Sequence, residues 1–148
     1  MLPRTTTIVS TVTAETTDVS GRFLLRGPGF SLLTDSSLAG GGPGEAIGPL
    51  DLLVGSVVAC AINVFRVAPD DGRDRRVQCF ARVERSGDTA DLGALVIDAV
   101  IEGLRPGGER ELIEEFQQNC RIYLALRGGL DITINLHPEA PPDAPGST

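Results

Sequence analysis

Three cysteines and one histidine are the residues of this chain whose types could carry redox or metal chemistry: Cys60, Cys79, Cys120 and His137. No C-x-x-C pair occurs, and the single histidine stands beside a proline-rich tail, so the spacing offers no zinc site and predicts no metal. An odd number of widely separated cysteines is also a poor disulfide framework for a secreted domain. In a reducing compartment the thiols are then either inert small hydrophobes or redox groups. A buried thiol is a poor nucleophile, because burial disfavours the thiolate, and a nearby cation is what restores it. The sequence supplies Arg22, Arg26, Arg66 and Arg121 for that role. Cys79 falls on the apolar face of an alternating segment and is assigned to the core.

The elements that must position these groups follow from pattern. Residues 5–15 are rich in Thr, Val and Ile and predict a strand. Two short runs, 22–26 and 30–33, flank the turn Gly27-Pro28-Gly29 and complete a three-stranded meander. The glycine-rich segment 38–48 matches neither a dinucleotide fingerprint nor a P-loop and reads as a flexible entry to the next helix. Pro49 suits a first helical position, with Asp51 in the first turn to complement the dipole. Residues 50–67 are apolar nearly all round, which predicts a helix buried on most of its surface with Cys60 midway. Strands are expected over 77–85 and 95–102. A second helix carries Leu112, Ile113, Phe116 and Cys120 on one face and runs to Gly128-Gly129. The last strand alternates Leu130, Ile132, Ile134 and Leu136 with polar residues. The order is βββ-α-ββ-α-β, an α+β fold with helices packed on a mainly antiparallel sheet.

Bulk properties bound the partners. At 148 residues the chain is one domain, expected over 1–137, followed by a disordered Pro-rich tail at 138–148. A net charge of −7 disfavours nucleic acid and acidic membranes. Residues 52–65 are too short to span a bilayer, and residues 1–15 do not read as a signal peptide. The expected location is cytoplasmic.

The stretch GPLDLLVGSVVACAINVF (48–65) resembles the OsmC/Ohr signature, a Gly/Pro-led helix with an acid near its start and a cysteine three turns on. FQQNCRIYLALRGGLDITINL (116–136) resembles the second motif of that family. With the element order, the resemblance covers nearly the whole chain. It implies an intertwined homodimer with active sites at the subunit interface, and a thiol peroxidase acting on organic hydroperoxides. Cys60 would attack the peroxide and become a sulfenic acid, Cys120 would resolve it as a disulfide, and an external dithiol would reduce the pair without any cofactor. An arginine paired with a carboxylate would activate the thiolate, with Arg22 the nearest match, Arg26 second, and Asp51 the acid. Three positions depart from the family pattern. Leu50 stands where hydroperoxidase members have Glu, with the acid one place later at Asp51. Residues 34–48 hold no arginine. Arg121, rather than proline, follows the second cysteine. These departures support an alternative reading: a catalytically weak protein of the same fold that binds a small apolar ligand or senses oxidation. For the active enzyme, Val57, Val58, Ile62 and Phe65 are expected to line an apolar substrate pocket.

Overall fold

A computed structural model of the protein describes residues 6–67, 72–85, 87 and 91–138. It divides into two units, residues 1–52 and 53–148. The expected tail, from 139 on, and most of the turns near 70 and 88 lie outside the described residues.

In the first unit, β1 (Thr13–Thr16), β2 (Arg22–Gly27) and β3 (Phe30–Asp35) form an antiparallel sheet in that order. The β2–β3 hairpin turns at Pro28-Gly29, with Gly27 opposite Phe30. Gly29 has φ of 79°, the positive value that the third position of a type II turn requires, while Pro28 presets the second. Counting inward from that turn, each residue of β2 meets its partner in order, ending with Arg22 opposite Asp35. The first strand is shorter than its Thr/Val/Ile composition suggested, because residues 6–12 pair with no strand. Among the described residues, the first unit buries no hydrophobic side chain, and its buried side chains are Thr34 and Asp35.

Helix α1 (Pro49–Phe65) starts at the end of the first unit and runs through the second. There β4 (Val77–Glu84), β5 (Ala94–Ile101) and β6 (Asp131–His137) form a second sheet, ordered β4-β5-β6. The β4–β5 pair is antiparallel and the β5–β6 pair parallel. A parallel pair needs a long crossover, and α2 (Glu109–Asn119) with α3 (Arg121–Leu126) supplies it. The α+β class and the order of strands along the chain therefore stand as read, but the strands are divided between two sheets where one was expected.

One cluster holds the second unit together. Val57, Ala61 and Phe65 recur at every fourth position of α1 and are fully buried. They join Leu95, Ile97, Ala99 and Ile101, one face of β5, and Leu112, Phe116 and Cys120 from the second helical segment. Phe116 sits between Phe65 and Tyr123, with ring centroids 5.6 and 5.2 Å away, within the range of favourable aromatic pairing. It ties α1, α2 and α3 to one another.

The continuous second helix expected to run to Gly128 is broken at Cys120, whose backbone is extended (φ −74°, ψ 107°). No Gly or Pro marks the break. It is made by tertiary packing, which buries the Cys120 side chain to 1% exposure.

Replacing Phe116 with Ala removes the ring that three helices share. The expected loss of stability is about 3–5 kcal/mol, read from denaturant unfolding. A loss below about 1 kcal/mol would show that the cluster does not depend on this ring.

Candidate functional site

Cys60 lies midway along α1, and it is there because an apolar helix opened by Pro49 carries it into the second unit. Cys120 arrives from the other direction, at the junction of α2 and α3. Their sulfurs are 2.6 Å apart, although sixty positions separate them in sequence. Both are free thiols. A bonded pair stands at about 2.0 Å, so a disulfide between them needs only a small movement.

Cys120 is also a structural group. Its backbone N–H donates to the Phe116 carbonyl at 2.9 Å, the last hydrogen bond of α2. Its sulfur accepts the Tyr123 N–H at 3.3 Å, so the thiol serves as the N-cap of α3. The main chain at Ile122 and Arg121 acts to favour the Cys60 thiolate. Burial acts against it, followed by the neighbouring Cys120, and together these push the Cys60 thiol up to about 11. Cys60 is the more accessible of the two, being half-buried where Cys120 is buried.

Cys79 packs against the same core from β4. Burial pushes its thiol up to about 11 as well.

The first unit contains a separate charged cluster. Arg22 donates through Nε to Asp35 Oδ1 at 2.7 Å and through Nη2 to Asp35 Oδ2 at 2.8 Å, a bidentate pair. Nη2 also reaches Glu45 Oε2 at 3.1 Å. The Asp35 side chain is fully buried. The Arg22 hydrogen bonds hold its carboxyl well below the usual carboxylate range; burial opposes this, and the N–H groups of Ala46 (2.9 Å) and Glu45 (3.0 Å) assist. Asp35 in turn holds Arg22 charged. The same carboxylate thereby pins the glycine-rich segment that follows β3. Thr34 Oγ1 adds a bond to the Ile47 carbonyl at 2.7 Å.

The expected acid, Asp51, occupies a different place. It accepts the Gly48 N–H at 3.2 Å and so caps its own helix. The carboxylates on Arg22 are Asp35 and Glu45, which the sequence reading did not single out. The signal for Asp35 was available: pairing outward from the Pro28-Gly29 turn puts it opposite Arg22. No such count reaches Glu45, which lies in an irregular segment. Arg26 is paired with Glu15 on the exposed surface, and Arg121 is exposed.

Two open cavities accompany these groups. One of about 750 Å³ lies within the first unit, beside Asp35, Leu38, Leu50 and Asp51. The other, about 480 Å³, lies within the second unit, lined by Leu53, Asp91, Leu92, Leu126 and Leu130. Val57 and Phe65, expected to line a substrate pocket, are fully buried in the core and line neither. Among the described residues no three potential ligands are grouped as a metal site. Among the described residues no helix is long and apolar enough to cross a membrane.

No protein-family model matches the sequence, and no curated protein matches it. Solved structures do. An OsmC-like protein from Mycoplasma pneumoniae superposes with a TM-score of 0.71 at 17% identity, covering 86% of this chain and 95% of its own. An organic hydroperoxide resistance protein, OsmC, from Legionella pneumophila gives 0.66 at 19% identity, covering 89% and 98%. The organic hydroperoxide resistance protein OhrB of Bacillus subtilis gives 0.65 at 16%, covering 88% and 98%. At identities this low the likeness establishes the fold: the chain has the OsmC/Ohr fold.

The raised Cys60 thiol sets a pH dependence. Below about 11 its thiolate fraction grows tenfold per pH unit, so iodoacetamide alkylation of Cys60, followed by peptide mass spectrometry, should climb at that rate from pH 7 to 10. A plateau below pH 8 would mean that a positive charge stabilises the thiolate. Unfolded cysteine ionises near ~8.5, so folding stability is complete below that pH and declines as pH rises toward 11.

Proposed function

We propose that this protein is a thiol-dependent peroxidase that reduces organic hydroperoxides through Cys60 and Cys120. The observation that carries the proposal is the 2.6 Å separation of their sulfurs. The OsmC/Ohr fold, shared with organic hydroperoxide resistance proteins, supports it.

The chemistry balances with two thiols and one reductant. The Cys60 thiolate attacks the terminal peroxide oxygen, the O–O bond breaks, and the alkoxide leaves and takes up a proton as the alcohol. Sulfur is oxidised by two electrons and becomes a sulfenic acid. The Cys120 thiolate then attacks that sulfur, forming the disulfide and expelling hydroxide, which takes up the proton Cys120 lost and leaves as water. An external dithiol restores both thiols by exchange. The assignment of roles follows exposure: the half-buried thiol meets the substrate, and the buried one resolves it.

The apolar cavity of the second unit supports a substrate with an organic group. Leu53 on its wall precedes Cys60 by two helical turns and so shares a face of α1 with it. Arg22, fixed by Asp35, is proposed as the group that polarises the peroxide, a role the family resemblance assigns to such an arginine. Its charge is permanent and its fork rigid. An intertwined homodimer belongs to the same reading. It would cover apolar side chains the first unit leaves exposed, among them Ile8, Val9, Val12, Leu33 and Leu38.

A second reading is favoured by the surroundings of Cys60, where burial and the adjacent Cys120 sulfur push its thiol up to about 11. So little thiolate at neutral pH suits a slow redox sensor or a binder of small apolar ligands in the same scaffold.

Cumene hydroperoxide consumption with a dithiol reductant separates the two readings. The peroxidase predicts turnover by the wild type, loss of at least about a thousandfold in Cys60→Ser, and rapid inactivation of Cys120→Ser by excess peroxide. Wild-type protein that turns nothing over, while forming the disulfide slowly, would leave the sensor.

A further inference from the structure

Two free thiols in contact, on elements packed around a common ring, form a ready chelate for a thiophilic centre. Cys60 on α1 and Cys120 at the α2–α3 junction hold their sulfurs 2.6 Å apart. Phe116, between Phe65 and Tyr123, ties those elements to one another. The separation of the sulfurs decides which coordination geometry fits between them. We propose that the reduced Cys60–Cys120 pair is a binding site for trivalent arsenic, taken up as arsenous acid and held by both sulfurs.

Other soft centres fit less well. An ion that takes two sulfurs in a straight line holds them two bond lengths apart, about 4.6 Å for bonds of about 2.3 Å. Reaching that separation from 2.6 Å would force apart helices packed in a dense core. A tetrahedral zinc needs at least three protein ligands, and among the described residues no three potential ligands are grouped. Trivalent arsenic is pyramidal. With its bonds near right angles it holds two sulfurs about 3.3 Å apart at a similar bond length, a widening that the two side chains supply by small rotations.

The condensation balances without an oxidant or reductant. Each thiol gives its proton to an arsenic-bound hydroxyl, which leaves as water while an As–S bond replaces the As–O bond. Arsenous acid and two thiols therefore give a dithiolate adduct with one remaining hydroxyl and two waters, and arsenic stays trivalent. The first bond forms at half-buried Cys60, and the buried Cys120 closes the chelate. No thiolate has to accumulate, so the surroundings that keep the Cys60 proton in place do not block the reaction. Arsenous acid is uncharged at neutral pH, and the net charge of −7 does not repel it. The second bond is intramolecular and adds affinity as a linked site does. Cys79, which packs against the same core from β4, belongs to no such pair.

Calorimetric titration of the reduced protein with arsenite, under anaerobic conditions and without peroxide, tests the site. The wild type should bind one equivalent. Affinity should fall by about a hundredfold or more in Cys60→Ser and in Cys120→Ser, and stay unchanged in Cys79→Ala. Equal affinity in the wild type and either serine variant would overturn the proposal. If circular dichroism shows the serine variants unfolded, X-ray absorption at the arsenic edge of the wild-type complex provides the reading. Two sulfur neighbours and one oxygen per arsenic are expected, and one sulfur or three would overturn it. Arsenite binding without peroxide turnover would count against the peroxidase and leave this site intact, whereas turnover without arsenite binding would overturn this site alone.

Discussion

The contact between the Cys60 and Cys120 sulfurs depends on a single packing constraint, the burial of Phe116 among α1, α2 and α3. The ring meets Phe65 on one side and Tyr123 on the other. It therefore fixes the C-terminal half of α1 against the junction where Cys120 sits. Neither cysteine is brought there by local preference. Cys60 is delivered by a helix whose buried residues, Val57, Ala61 and Phe65, recur every four positions. Cys120 is delivered by a break in a helix that its own sequence gives no reason to break. The parallel β5–β6 pair belongs to the same constraint, because the crossover between those strands is the helical segment that carries Cys120.

That constraint has an electrostatic consequence. Close approach of two sulfurs in an apolar cluster suits disulfide formation and opposes ionisation, so the geometry that favours the second step of the proposed reaction disfavours the first. The main chain at Arg121 and Ile122 acts in the opposite direction, without overcoming the penalty. The first unit shows the opposite balance. There Arg22 and Asp35 meet in bidentate geometry with two further backbone donors on the carboxylate, and a buried charge is stabilised in its charged form. The Asp35 carboxylate with such partners is held as an anion, whereas the half-buried Cys60 beside another thiol is pushed toward its neutral form.

Much of this was legible in the sequence because the signals were periodic. The recurrence of apolar residues in 50–65 and the alternation in 131–136 pointed to α1 and β6, and Gly27-Pro28-Gly29 marked the first hairpin turn. The class and element order followed from these. Three features were hidden. The break at Cys120 has no Gly or Pro and arises from packing. Asp51 looked like a partner for an arginine, yet its carboxylate finds a nearer donor in the Gly48 N–H, a local competition that residue type alone does not resolve. The division of the strands between two sheets depends on contacts distant in sequence. Val57 and Phe65 were read as pocket residues because they flank Cys60 in sequence. Helical geometry turns them to the core side instead.

The most direct test of a Cys60–Cys120 redox pair is stoichiometric. Reduced protein is treated with one equivalent of cumene hydroperoxide, without reductant, and its peptides are mapped by mass spectrometry under non-reducing conditions. The account predicts loss of two thiols per peroxide, a single disulfide joining the Cys60 and Cys120 peptides, and Cys79 left as a free thiol. A disulfide that includes Cys79, or Cys60 carried to its sulfinic acid while Cys120 remains reduced, would contradict it.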